Sequence, residues 1–455
     1  MKERHAFSRD REDPGYRSPA RIRPSLLIPP FRELPELPAK SPTGRARHMA
    51  ARMQYPPLMT VPAHLAEVAT EGSGDLAVML TGGGARAAYQ VGLLKGIAKH
   101  FPHVRFKIIT GVSAGAINAI YLAARHGSLL EKSRNLERMW CELNCDSIYQ
   151  FDWRTFIPFH SAIASISPKK WAWTRPRPHA LVDTTPLRNL LSRVLDVEPG
   201  QKITGIDDNI RNGNLTALAL MTLDYSTGQT VRWVQGRSFD TFEGPHRRVA
   251  HTHFTVDHVL ASAALPFIFP AVRIGNEWHG DGGIRLAAPL SPAVHLGAHR
   301  IIAMSTAYIG TEEEDSRVAV SGYPPAAQVL GQMVNAVFLD VIEEDVARMQ
   351  RMSDLLKKVP PADREGLKPI DLLVLRPSID LGKLAGDYEK KLPLNLKLLV
   401  RALGGKETDS PDFMSLLMFE PTYTRRIIEL GESDVSSRLA ELRAFLGEDA
   451  AAATG

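Results

Sequence analysis

The sequence predicts an α/β protein with a doubly wound, mainly parallel sheet flanked by helices and with a helical C-terminal portion. Residues 76–127 hold two successive units of apolar strand, glycine turn and amphipathic helix, and such units build parallel sheets with right-handed crossovers. A further apolar run at residues 370–377 is typical of a sheet strand. Because a strand returns so late, we expect the C-terminal third to complete the same domain.

The two N-terminal units share one pattern. In the first, LAVML precedes the turn TGGG and the helical pattern ARAAYQVGLLKGIAKHF, within residues 76–101. In the second, VRFKIIT precedes GVSAG and AINAIYLAARHG, within residues 104–127. The short apolar runs indicate buried strands, the glycines indicate turns, and apolar residues three and four apart indicate helices.

The same patterns predict the elements that follow. They are two strands joined by a turn at 215–236, a short helix ending at prolines at 258–272, a hairpin-like segment at 273–284, a strand at 300–306, one long amphipathic helix or a pair at 326–359, and helices at 415–447.

Charge and proline content divide the chain into three expected regions. Residues 1–50 hold eleven Lys and Arg against six Asp and Glu, and the rest of the chain is neutral. A broad basic face of the kind that binds nucleic acid is therefore not predicted. We expect a disordered, proline-rich basic tail at residues 1–60, an α/β core at 73–310, and C-terminal helices with a late strand completing the domain at 311–446.

The predicted compartment is the cytoplasm. Cys141 and Cys145 stand four apart on one helical face, and the chain has no Cys/His spacing of a zinc site. The first residues are charged where a signal peptide needs an apolar core, and no run of eighteen apolar residues occurs. We therefore expect a cytoplasmic protein that contacts membranes at most peripherally.

The turn TGGGARA matches a dinucleotide-binding fingerprint at Gly82, Gly84 and Ala87. A Rossmann site also needs an acidic residue about 20 positions further on to hold the ribose, but residues 76–130 contain no Asp or Glu. A Walker loop needs a Gly-Lys-Ser/Thr ending, which is missing as well. Dinucleotide and nucleoside triphosphate binding are therefore not predicted.

The glycine turn nevertheless suits an anion, including a transient one. Successive glycines let backbone N–H groups converge, and the following helix adds partial positive charge. Arg86 either strengthens this potential or fastens the loop as a hydrogen-bond donor, and the sequence leaves both roles open.

Ser113 stands between Gly111 and Gly115 in the pattern G-x-S-x-G. Glycines at these positions allow a sharp strand-to-helix turn that exposes the serine hydroxyl at the carboxyl edge of the sheet. The helix that begins at Ala114 points its N-terminus at any negative charge that an attack by the hydroxyl creates. The pattern therefore predicts a nucleophile.

A nucleophilic serine needs a base, ordinarily a histidine oriented by a carboxylate. Asp281 precedes two glycines in WHGDGG, a turn that can present a carboxylate. Downstream of it, His295 and His299 stand four apart in a predicted helix and are expected to serve packing or the surface. His251 and His253 have a metal-like spacing, but no nearby Cys or carboxylate set completes a site, and no metal is predicted.

Four motifs carry a family resemblance. GGGARAAYQVG, GVSAG, ASAALPFIFPAV and DGG, in this order, resemble the patatin-like phospholipases over about residues 75–310. FEPTYTRRIIELGESD and IDLLVLRPS are similar to the continuation in bacterial members and extend the resemblance towards residue 445. The resemblance implies a doubly wound α/β fold and a lipid acyl hydrolase of the phospholipase A or lysophospholipase type, with a phospholipid or another acyl ester as substrate. No cofactor is expected.

The resemblance also implies roles for individual residues. Ser113 matches the nucleophile and Asp281 its base, a dyad without histidine. The oxyanion hole matches the glycine turn at Gly82, Gly83 and Gly84, and Arg86 matches the basic residue that follows it. The family commonly has Gly where this chain has Ala87, a position inside the helix where we expect little effect on the chemistry.

Two other interpretations stay open. One is a general esterase that uses a conventional triad through His295 or His299. The other is a catalytically inactive member of the fold that binds lipid or protein.

Residues 140–178 hold four of the six tryptophans of the chain beside several Lys and Arg. This composition suits a wall or lid over the acyl group, or a contact with a lipid interface through residues 153–177. The alternative is that the tryptophans bury against the sheet. The basic tail likewise fits either contact with anionic lipid or a solubilising leader.

Overall fold

The computed structural model describes residues 75–151, 180–236, 244, 246–310, 326–338, 341–394, 396–397 and 412–447. The predicted tail at 1–60 and the segment 153–177 lie outside the described residues.

The strands are β1 Leu76–Leu80, β2 Ile108–Val112, β3 Gln150–Phe151, β4 Val182–Asp183, β5 Ala217–Asp224, β6 Thr230–Gly236, β7 Arg247–His251, β8 Val272–Ile274, β9 Glu277–Asp281, β10 Arg300–Met304 and β11 Asp371–Leu375.

Helices occupy most of the remaining described chain. They are α1 Ala88–His100, α2 Ala114–Ala124, α3 Leu129–Glu142, α4 Cys145–Ile148, α5 Thr185–Leu195, α6 Thr204–Arg211, α7 Val256–Ser262, α8 Ser291–His295, α9 Ala326–Phe338, α10 Val341–Lys358, α11 Leu381–Gly386, α12 Asp412–Leu417, α13 Pro421–Ser437 and α14 Leu439–Leu446. Short 3₁₀ turns lie at Gly84–Ala87, Gly282–Arg285, Pro361–Asp363 and Glu389–Lys391.

The main sheet runs in the order β11-β10-β1-β2-β5-β6-β7, and β9 pairs with β5 and β8. The five strands from β11 to β5 are parallel to one another. Strands β6 and β9 both run antiparallel to β5. The sheet is therefore mainly parallel, and the fold class predicted from the sequence is confirmed.

Both faces of the sheet are covered, which is why its strands are apolar throughout. In β1, Val78 and Leu80 pack into a core with α1 and α2, whereas Ala77 and Met79 pack into a second core with α8 and α10. Alternate residues of one strand thus enter different cores, as the period of two along a strand requires. This is the doubly wound arrangement.

The C-terminal part of the described chain joins the same body. Strand β11 pairs in parallel with β10 at the edge of the sheet, and α13 contributes Ile427 and Ile428 to the core that contains α1. No helix within the described residues is long and apolar enough to span a bilayer.

The topology brings the two glycine turns together. Strands β1 and β2 are adjacent and parallel, with Leu80 paired to Gly111. Because parallel neighbours end at the same edge of a sheet, the turn after β1 and the turn after β2 meet there.

Candidate active site

Ser113 occupies a strained turn between β2 and α2. Its φ is 56° and its ψ is −134°, a conformation that residues with a side chain rarely adopt. The Ser113 N–H donates to Ser262 Oγ at 3.1 Å, and Ser262 Oγ donates to the Met221 carbonyl at 2.7 Å. The Ser113 side chain makes no capping hydrogen bond to α2. The backbone is therefore held by α7 and β5 while the hydroxyl stays available.

The glycines on either side of Ser113 are required by close contacts. A Cβ at Gly111 would lie 2.6 Å from Ala119 Cβ and 2.8 Å from the Gly115 carbonyl oxygen. A Cβ at Gly115 would collide with the carbonyl oxygens of Leu80 and Thr81. A larger residue at either position would force α2 away from the strands and open the turn.

The glycine turn after β1 lies against Ser113. A Cβ at Gly82 would be 2.8 Å from Ser113 Cβ and 3.3 Å from its Oγ. Gly84 has φ 55°, and any Cβ there would meet the Leu416 carbonyl. Only glycine lets this backbone pass so close to the serine.

The carbonyl groups of the same turn are held in place by hydrogen bonds. The Gly82 carbonyl accepts from Thr306 Oγ1 at 2.6 Å, and the Gly83 carbonyl accepts from the Arg86 N–H at 3.0 Å. Within the described part of the chain, the N–H groups of Gly82 and Gly83 have no hydrogen-bond partner. The turn thus has its acceptors satisfied and keeps donors beside Ser113.

Asp281 is the last residue of β9 and is fully buried. Its N–H donates to the Ala264 carbonyl at 3.0 Å, and its Oδ1 accepts from the Gly283 N–H at 2.8 Å. Its Oδ2 has no hydrogen-bond partner of good geometry among the described residues. Burial raises the pKa of Asp281 to about 7, although the Ser113 hydroxyl and the Gly283 N–H both lower it in part. The acid therefore lies beside the serine with a free oxygen.

Arg86 is buried, and its guanidinium donates hydrogen bonds to residues of the C-terminal region. Nε donates to Ser415 Oγ at 2.6 Å, and Nη2 donates to Asp412 Oδ1 at 2.7 Å. These contacts match the loop-fastening role that the sequence left open. Arg86 therefore ties the glycine turn to α12.

An apolar cleft opens at Ser113. Gly83 and Gly84 line it together with apolar side chains from several helices. These are Ala114, Ile117, Met139, Trp140, Leu143, Ile148, Leu187, Leu190, Ala263, Leu265, Phe269, Leu416, Leu417 and Phe419. Trp140 is the one described tryptophan of residues 140–178. It forms part of this wall, and its Nε1–H donates to Asn118 Oδ1 at 2.9 Å. Such a cleft suits a hydrocarbon chain.

His299 lies at the opposite edge of the sheet from Ser113. It directly precedes β10, whose first residue Arg300 pairs with Leu76 at the start of β1, whereas Ser113 follows the end of β2. Five residues of strand separate these edges by roughly 16 Å. His295 ends the short helix α8 that precedes the same edge.

Another histidine, which the sequence analysis did not single out, is closer to the acid. His279 is buried two residues before Asp281, and its Nδ1 lies 3.1 Å from Thr222 Oγ1. Burial lowers the pKa of His279. No group of three or more His, Cys, Asp or Glu in the described ranges is arranged to hold a metal ion.

Sequence reasoning also missed three residues that hold the site. Ser262 lies within ASAALP, a motif that was recognised without a role for its serine. Asp412 and Ser415 are far from the glycine turn along the chain, and no local pattern links them to Arg86.

The family model and the curated relatives that match this chain are all phospholipases. The model of the family described as patatin-like phospholipase matches residues 78–294. Calcium-independent phospholipase A2-gamma of Mus musculus is 25% identical over 230 residues, which are 50% of this chain and 26% of that protein. The Homo sapiens protein of the same name is 24% identical over the same extent. The chain thus spans about a quarter of the length of these curated relatives.

Solved structures give a weaker likeness. Human GIVD cytosolic phospholipase A2, solved with methyl gamma-linolenyl fluorophosphonate and terbium chloride, aligns over 82% of this chain and 59% of its own. The TM-score is 0.34 and the sequence identity is 13%.

Proposed function

Residues 78–294 belong to the patatin-like phospholipase family, and from this premise we propose that the chain is a lipid acyl hydrolase using Ser113 and Asp281. The observation that carries the proposal is one juxtaposition. Ser113 lies beside a buried acid with a free oxygen and beside a turn with unused N–H donors, and Ser113, Gly83 and Gly84 line an apolar cleft.

In the first step, Asp281 accepts the hydroxyl proton as Ser113 Oγ attacks the ester carbonyl carbon. The free Oδ2 suits this transfer, because it has no other proton donor to displace. A base with a pKa of about 7 is also well matched to neutral pH, since about half of it is ionised there and the ionised form binds a proton strongly. The C–O bond to the alcohol then breaks, and the proton held by Asp281 passes to the leaving alcohol.

Negative charge on the carbonyl oxygen is stabilised by backbone donors. The N–H groups of Gly82, Gly83 and Gly84 are proposed to form the oxyanion hole, and the N-terminus of α2 adds partial positive charge. Each well-aimed donor contributes about 3 kcal/mol in the transition state. The hydrogen bonds on the carbonyls of Gly82 and Gly83 keep the peptide groups from turning.

Water then hydrolyses the acyl-enzyme. Asp281 takes a proton from water as its oxygen attacks the acyl carbon, and returns the proton to Ser113 Oγ as the acyl–serine bond breaks. The products are a fatty acid and a regenerated serine.

A phospholipid is the proposed substrate class. The curated relatives are named as phospholipases A2, and the apolar walls of the cleft suit an acyl chain rather than a polar ester. Contact with the lipid surface is proposed to be peripheral.

The test is release of fatty acid from phospholipid vesicles, measured by mass spectrometry on the purified chain. We expect Ser113→Ala to lose more than a thousandfold in turnover. Ser133→Ala is the matched control, because Ser133 is a buried serine in α3 whose hydroxyl bonds only within its own helix. Activity that survives in Ser113→Ala would contradict the proposal.

Histidine variants separate the dyad from a triad. His279→Ala, His295→Ala and His299→Ala should each keep turnover within about tenfold of the native chain, since general-base catalysis is worth more than that. A thousandfold loss in any of them would assign the base to that histidine instead.

A further inference from the structure

A second cleft, on the other face of the sheet, has four arginines among its lining residues. In β6, Val231 and Trp233 face the core that contains α2, so the alternate residue Arg232 points to the opposite side. The arginines that line this cleft are Arg232, Arg247, Arg248 and Arg285.

Arg232 is the unusual member of this set. It is more than nine-tenths buried, with 8% of its surface exposed. Its side chain makes no hydrogen bond or ion pair to any described residue. Burial, and then the neighbouring charge of Arg247, lower the pKa of Arg232 to about 10. A buried charge without a partner is costly to the fold.

The nearby carboxylates are already used by other groups. Glu277 accepts two hydrogen bonds from Arg248, at 2.6 and 3.1 Å. Asp345 accepts from the Leu290 N–H at 2.8 Å and lies 3.7 Å from Arg348. The charge of Arg247 slightly lowers the pKa of Asp345, which burial raises. No carboxylate of the described residues contacts Arg247 or Arg232.

We propose that this cleft binds a phosphate group through Arg232 and Arg247. Guanidinium groups form paired, charge-assisted hydrogen bonds with phosphate oxygens. A phosphate carries up to two negative charges and several acceptor oxygens, which suits two neighbouring arginines. The phosphate is either that of a lipid head group or that of a soluble phosphate or phosphate ester.

The cleft is joined to the loop that carries Asp281. The 3₁₀ turn Gly282–Arg285 follows Asp281 directly, and both Arg285 and Leu286 line the cleft. Arg285 is itself fixed by a hydrogen bond from Nη1 to the Gly228 carbonyl at 2.8 Å. A bound phosphate therefore lies against the segment that holds Asp281. This inference does not rest on the proposed hydrolase activity.

The test compares the purified native chain with Arg232→Met and Arg247→Met. The soluble probes are inorganic phosphate and glycerol phosphate, titrated by calorimetry at constant ionic strength. The lipid probes are vesicles of phosphatidylcholine alone and vesicles that also contain ether-linked phosphatidic acid, which an ester hydrolase cannot cleave. Arg273→Met is the matched control, because Arg273 is exposed on the β8–β9 hairpin outside the cleft.

We expect each cleft variant to bind phosphate at least tenfold more weakly, while Arg273→Met binds like the native chain. Arg232→Met should also raise the melting temperature without phosphate, because it removes an unpartnered buried charge. Binding of the soluble probes alone would assign a soluble ligand, and binding of phosphatidic acid vesicles alone would assign a lipid head group. Absence of binding to every probe, or equal loss in Arg273→Met, would overturn the proposal. The proposal would also be overturned by two results together: a lower melting temperature for Arg232→Met than for the native chain, and an unchanged phosphate affinity for Arg247→Met.

Discussion

Asp281 is fully buried next to Ser113, and the serine hydroxyl lies close enough to lower the pKa of an acid that burial raises to about 7. Its Oδ2 has no other hydrogen-bond partner in the described chain. An unsatisfied buried carboxylate oxygen is costly to the fold. Such a cost is typical of catalytic sites, where the proton acceptor must stay available.

The activity should depend on the ionisation of Asp281. Because the acid must be deprotonated to accept the serine proton, we expect kcat/KM to fall about tenfold per pH unit below pH 7 and to level off above it. The measurement is the pH profile of kcat/KM with a soluble ester, where lipid packing does not change with pH. A profile that stays flat from pH 5 to pH 8 would contradict the role of Asp281.

Asp281→Asn should separate stability from activity. The folded protein binds the Asp281 proton more tightly than the unfolded chain does. The destabilising effect of the ionised acid therefore grows from about pH 4 and is complete above pH 7, where it is about 4 kcal/mol at most. Asn removes this charge, so urea unfolding at pH 8 should show a more stable protein. At pH 4 the gain should vanish, and turnover should be lost at both pH values.

Gly82→Ala should damage catalysis more than folding. The new Cβ would lie 2.8 Å from Ser113 Cβ, so either the serine or an oxyanion donor must shift. We expect kcat to fall about 100- to 1000-fold, as on removal of one donor. Gly386→Ala is the control, because a Cβ there meets no atom within 4 Å and its φ is not positive. Equal kinetics for the two variants would exclude this close approach.

Arg86→Met should loosen the glycine turn and weaken the fold together. It breaks an ion pair whose side chains are only 3% and 19% exposed. We expect a loss of about 3 kcal/mol in the free energy of unfolding and a lower kcat with KM little changed. The exposed pair of Arg211 and Asp208 gives the comparison, since Arg211→Met should cost less than 1 kcal/mol. Undiminished stability in Arg86→Met would show that this pair does not hold the turn.

Local features of the site were predictable from the sequence. Ser113 and the glycine turn each follow an apolar strand directly, and adjacent parallel strands end at one edge, so their proximity follows from the strand–turn–helix pattern alone. Asp281 required the family resemblance, because a DGG sequence by itself indicates only a turn.

Contacts between distant segments were not predictable. The ion pair of Arg86 with Asp412 joins residues 326 positions apart, and neither position carries a pattern that reveals its partner. The charge of Arg232 lies in a strand of otherwise ordinary composition, and only the pairing of β6 with β5 and β7 brings it beside Arg247. The partners of such residues are set by the tertiary fold, and hydrophobic periodicity carries no information about these partners.

The central claim is that Ser113 is the nucleophile and that Asp281 activates it. Its most direct test is reaction of the purified native chain with a fluorophosphonate probe, followed by peptide mapping of the labelled residue. We predict a single covalent adduct on Ser113, no adduct in Ser113→Ala, and labelling at least a hundredfold slower in Asp281→Asn. Absence of labelling in the native chain, or labelling that persists at full rate in Ser113→Ala, would contradict the account.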